Sequence, residues 1–226
     1  MNPWASWEGV DCSLGCQCEY VRDALIRQPS SFWSSAFFLI PAITLKKKIP
    51  RKDFFFQLYV VVLILLSLSS FFAHGSFTKV ALAFDYTSII TLTTFFLMAH
   101  TLQKMRFSPS TMLVIYGFWF GLVFLGMNSM EKFEKIGLCL LLFVLALIDV
   151  IREKGLKSFG QPKLVATLSI LLVSFGLFVL DEKHIFCDPT SPWQLHGLWH
   201  LGASLGITTY SLWRFEGSST WPASPG

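Results

Sequence analysis

Long apolar runs leave a chain few choices of fold. A stretch of about 17 to 25 hydrophobic residues matches the hydrocarbon thickness of a bilayer, where a helix can satisfy its own backbone. Seven such runs follow one another here, near Ser31–Leu45, Phe54–Ala73, Lys79–Leu102, Thr111–Met127, Glu134–Ile151, Leu164–Leu180 and Leu195–Trp213, with polar or charged punctuation between them. The first is the weakest, being short and carrying several serines and Pro41. Only 14% of the residues are charged and 53% are hydrophobic, against about 25% charged in a soluble domain. The pattern predicts an all-α membrane protein, a seven-transmembrane helix bundle.

Lysine and arginine concentrate on the cytoplasmic side of membrane proteins, so alternate loops give the orientation. Lys46, Lys47, Lys48, Arg51, Lys52, Lys104, Arg106, Arg152, Lys154, Lys157, Lys163 and Arg214 make twelve on one side, against six on the other. This predicts the N-terminus outside and the C-terminus cytoplasmic. The chain then divides into an extracytoplasmic segment over 1–30, a transmembrane domain over 31–213 and a cytoplasmic tail over 214–226. The formal charge of +4 is a topology signal, and no nucleic-acid partner is expected. The first thirty residues lack the basic start and short apolar core of a signal peptide, so they read as mature protein.

Five cysteines stand at positions 12, 16, 18, 139 and 187. Four fall on the outer side, where an oxidising compartment permits disulfides, and a bridge from Cys187 to one of the N-terminal three would tie that segment to the last outer loop. The close trio lacks the second pair a zinc site would need. Cys139 lies in an apolar span and reads as packing.

Ionisable groups inside membrane spans are costly, and each is a functional hypothesis. His74, Asp85, His196 and His200 stand out. His196 and His200 are four residues apart and share one face of the last helix, so both imidazoles can reach one metal ion. A third ligand must come from another helix. By the predicted topology His74, at the outer end of the second helix, and Asp85, less than two turns into the third, lie at the same depth. Ser70 precedes His74 by four residues and shares its face. His100 and His184 read as peripheral hydrogen-bonding groups. Two histidines a turn apart on one face cannot serve as opposite axial ligands of a haem. Five histidines in all are too few for the boxes of a di-iron lipid oxidase.

Ser70-x3-His74, Asp85 and His196-x3-His200, in this order and spacing, resemble the alkaline ceramidase family, within the group of seven-helix membrane hydrolases that includes the adiponectin-receptor-like proteins. CEYVRDALIRQPSSFWSSAFFLI, residues 18 to 40, and IFCDPTSPWQLHGLWHL are similar to stretches of that family before the first and last helices. The resemblance spans most of the chain, with the helices between matched by number and hydropathy. It implies a zinc site of His74, His196 and His200, with Ser70 and Asp85 catalytic and a disulfide between Cys18 and Cys187. The family also binds calcium through an N-terminal acidic cluster. Here Ser31 replaces the carboxylate before Phe32-Trp33 and only Glu19 matches, which puts calcium in doubt.

Three histidines with an open fourth position suit zinc as an activator of water and a polariser of an amide carbonyl. Asp85 is the candidate to accept and deliver the proton, or to ligate the metal, and Ser70 to stabilise the oxyanion. The expected activity is zinc-dependent hydrolysis of ceramide-like N-acyl lipids drawn from the bilayer, giving a fatty acid and a sphingoid-type amine. The alternative is a receptor or interaction protein with a structural zinc site. The expected location is a bacterial inner membrane or the endoplasmic reticulum or Golgi.

Overall fold

The computed structural model describes residues 2–10, 17–49, 53–104, 107–154 and 161–216. They form an all-helical protein. The first rod begins with α1 (Pro29–Ser34), tightens into a 3-10 turn, η1 (Ser35–Phe38), and continues as α2 (Leu39–Lys48). There follow α3 (Phe54–Ser76), α4 (Lys79–Lys104), α5 (Pro109–Ser129), α6 (Lys132–Lys154), α7 (Pro162–Glu182) and α8 (Leu195–Glu216). Among the described residues there is no strand, only an isolated bridge between Gly9 and Thr78. Of the helices, α3, α5 and α7 are long and apolar enough to cross a membrane. The outward faces of α5 and α7 suit lipid: Val114, Phe118, Leu125 and Val173 are each at least 66% exposed. These features mark a membrane protein.

Local chemistry sets the helix limits. Asp53 caps α3 by accepting from the Phe56 N–H, and Ser108 caps α5 by accepting from Thr111, with Pro109 in the first turn. At its other end α3 stops at Phe77, whose left-handed φ of 48° breaks the helix. The short α1 has no local cap; Glu19 supplies one from outside, its carboxylate accepting from the Ser30 and Ser31 N–H groups at 2.7 and 2.9 Å and from the Ser31 hydroxyl at 2.7 Å.

The first rod wedges between α3 and α8, α3 packs on α4, α4 carries α5 and α6, and α8 carries α7. These contacts make a ring that is not closed by comparable packing between α6 and α7 among the described residues, and α5 lies outside it on α4. The tightest pair is α7 with α8. Its close approach depends on Gly202 and Gly206, one turn apart, where an added Cβ would collide with the Ser174 hydroxyl and with the Leu171 side chain. The largest apolar cluster joins Leu45, Phe56, Tyr59, Leu63, Phe95 and Phe215 at the end where α3 begins and α8 finishes, called the lower end below. The upper end, where α3 finishes and α4 and α8 begin, is built differently.

Candidate metal centre

At the upper end α3 delivers His74 from its last turns and α8 delivers His196 and His200 from its first two. All three are buried, and one ring nitrogen of each lies within 4.8 Å of the other two. Ring centroids are 5.0 Å apart for His74 and His196, 5.1 Å for His74 and His200, and 4.6 Å for His196 and His200. The helix-face argument brings His196 and His200 together, but only tertiary packing brings His74 to them.

Hydrogen bonds decide which nitrogens face the centre. His74 Nδ1 lies 2.9 Å from Gln28 Oε1, a carbonyl oxygen that only accepts, so this imidazole carries its proton on Nδ1 and keeps a lone pair on Nε2. His200 Nδ1 lies 2.8 Å from Ser34 Oγ. That hydroxyl gives its own proton to the Ser31 carbonyl at 3.0 Å, which leaves it an acceptor for the His200 N–H. His196 Nδ1 faces a carboxylate instead, 3.8 Å from Asp181 Oδ2, and its Nε2 is 3.3 Å from the Gln17 side-chain amide. Metal-bound histidines are held as His74 and His200 are, through an acceptor on the nitrogen that does not ligate. The donor set fits a metal ion, with imidazole nitrogen suiting zinc as well as copper, iron or nickel.

The two other candidate residues have different surroundings. Asp85, in the second turn of α4, is half-buried and lines the same cavity as the three histidines. Its neighbour is Ser69, whose hydroxyl lies 3.3 Å from Oδ1 but gives its proton to the nearer Leu66 carbonyl, 2.9 Å away. Ser70 is fully buried with its Oγ 2.8 Å from Ser35 Oγ. Since Ser35 donates to the Ser31 carbonyl, Ser70 is the donor of that pair and its proton is engaged. The serine that touches the aspartate is therefore the neighbour of the one whose helical face pointed to His74.

The cavity holds about 550 Å³ and is lined mostly by apolar side chains of α3, α4, α6, α7 and α8. His196 and Tyr210 both line it, fourteen residues apart on α8, a rise of about 21 Å at about 1.5 Å per residue. Cys139 is a free thiol facing this cavity, so its place is in the wall.

The disulfide between Cys18 and Cys187 is present, with Cα atoms 5.6 Å apart, and straps the N-terminal segment to the loop between α7 and α8. In that loop the Thr190 N–H and hydroxyl hold the exposed Asp188 carboxyl below its ordinary range. Glu19 is spent as the cap of α1, its oxygens held by N–H and O–H donors where a cation would repel them. His184 is exposed in the same loop. Cys12 and Cys16 lie outside the described residues, as does the His100 side chain.

Sequence reasoning missed four groups: Gln17, Gln28, Ser34 and Asp181. The first three are ordinary polar residues without a spacing signal. Asp181 had one, since it ends an apolar run as Asp85 interrupts one, but beside Glu182 and Lys183 it reads as the polar end of a span.

No protein-family model matches the chain, and neither a characterised protein nor a solved structure is significantly similar to it.

Proposed function

We propose that this chain is a zinc-dependent intramembrane amide hydrolase acting on ceramide-like N-acyl lipids and releasing a fatty acid and a sphingoid-type amine. The observation that carries the reading is the trio of buried imidazoles, two with Nδ1 locked by neutral acceptors, set beside Asp85 at the polar end of a long apolar cavity. In this reading the first rod and α3 to α8 are seven crossings, the upper end faces outward and the cytoplasmic side carries the excess of lysine and arginine.

His74, His196 and His200 would hold the ion, which when bound supplies Lewis-acid polarisation of an acyl carbonyl and activation of water. Asp85, beside Ser69, takes a proton from the attacking water. It then returns that proton to the amine nitrogen as the carbon–nitrogen bond breaks. Gln17, whose side-chain nitrogen lies 3.3 Å from His196 Nε2, would have to yield that nitrogen to the ion. Ser70 reaches an oxyanion only by giving up Ser35. The acyl chain lies in the cavity, whose depth of about 21 Å exceeds the ~15 Å of a single hydrocarbon leaflet, and the break between α6 and α7 gives it a lateral way in from lipid.

The test is metal analysis of the purified protein together with product detection from a panel of ceramides and simple acyl amides. The expected result is one zinc per chain and free fatty acid, both lost in a His196→Ala variant that keeps its thermal transition. Metal-loaded protein that releases no fatty acid from any of them ends the hydrolase reading.

A further inference from the structure

The third imidazole is held differently from the other two. His74 and His200 each meet a neutral oxygen, whereas His196 faces the Asp181 carboxylate from the last turn of α7. That carboxylate has no exposed surface. Its nearest described donor is the Cys18 N–H, 3.3 Å from Oδ2, the same oxygen that lies 3.8 Å from His196 Nδ1. A carboxylate taken wholly out of water is costly unless positive charge compensates it, and the backbone N–H groups of Cys18 and His196 compensate it weakly. A divalent cation held by the three histidines would polarise the His196 ring and supply the missing charge. At 3.8 Å the contact is longer than a hydrogen bond, so the negative carboxylate favours, through its charge, a proton on His196 Nδ1, the tautomer of the other two rings.

We infer that Asp181 is a positioning residue for the metal centre, fixing the tautomer and orientation of His196, and that the Cys18–Cys187 strap holds Asp181 in place through the Cys18 N–H. This rests on the metal-binding part of the proposed function and needs none of the hydrolysis. The strap is anchored on both sides: Glu19, next in sequence to Cys18, is clamped to the start of α1, and Cys187 follows α7 by five residues. Residues 17 to 19 thus carry Gln17 over His196, Cys18 on Asp181 and Glu19 on α1.

The experiment measures zinc affinity of the full-length protein in detergent by competition with a chromophoric chelator, and the visible absorption of the cobalt-substituted protein. Asp181→Asn keeps the shape and removes the charge. It should weaken zinc binding about 10- to 100-fold and shift the cobalt bands, the size of loss expected when the partner of a metal-bound histidine is removed. A purely structural role would lower the thermal transition and leave both readouts of the folded protein as in the wild type, which would overturn the proposal. If Asp181→Asn does not fold, the wild-type protein with its disulfide reduced gives the answer. A several-fold fall in zinc affinity supports the coupling, and an unchanged affinity overturns it. A wild-type protein that binds zinc and cleaves no acyl amide removes the proposed reaction while Asp181 keeps its role. A wild-type protein that binds no zinc removes both.

Discussion

At the lower end of the bundle Phe56, Tyr59, Leu63, Phe95 and Phe215 fill the space between helices with rings and branched chains, and Phe95 stacks on Tyr116 at 5.3 Å. At the upper end small apolar residues such as Ala73, Ala81 and Ala83 share the interior with a buried polar set: Gln28, Ser31, Ser34, Ser35, Ser70, His74, Asp181, His196 and His200. The lower end is held by packing, which tolerates any shape that fills the volume. The upper end is held by directed bonds, each of which fixes one atom, with a disulfide and a carboxylate clamp tying in the chain that covers it. A protein that must resist unfolding and also aim three nitrogens at one point separates the two tasks in space, because an unsatisfied polar group in either place costs more than a missing methyl.

That contrast can be broken by variants that act at the wrong end. Leu63→Ala, at a position with no exposed surface, should destabilise the protein by about 2–5 kcal/mol in a reversible unfolding assay and leave the zinc affinity of the folded form unchanged. An equal loss of zinc binding would show that the two ends are not independent. Ser34→Ala removes the acceptor from His200 Nδ1 and should cost about tenfold or more in zinc affinity, read by chelator competition, with little change in the unfolding transition. The smallest effect is expected for Tyr59→Phe. Ser211 donates to the Ile207 carbonyl, so Tyr59 is the donor to Ser211, and losing that bond should cost about 1 kcal/mol of stability and leave the metal centre untouched.

The spacing of His196 and His200 was legible because one helix fixes both side chains, and the same holds for Ser70 with His74. What the spacing did not convey is which neighbours those faces meet. Ser70 shares the face of His74, yet the first rod places Ser35 against it and engages its proton, while Ser69, one residue along, reaches Asp85. Gln28 and Ser34 carry no pattern at all, and become partners of imidazoles only because α1 is wedged between α3 and α8. The glycines at 202 and 206 show the reverse case: small residues one turn apart suffice for a close helix contact, but nothing in them says that α7 is the helix that comes.

By itself the sequence determined the helices, from the length of its apolar runs, the chemistry of their caps and the residue types able to ligate a metal. Those are properties of adjacent residues, set within a few turns by backbone geometry. Tertiary structure alone decided that His74 stands with His196 and His200, that Asp181 backs one ring and serine and glutamine the others, and that a deep apolar cavity opens beside them. The reason is range. A helix fixes direction only over its own length, and contacts between residues more than a hundred positions apart exist only when the whole bundle has closed.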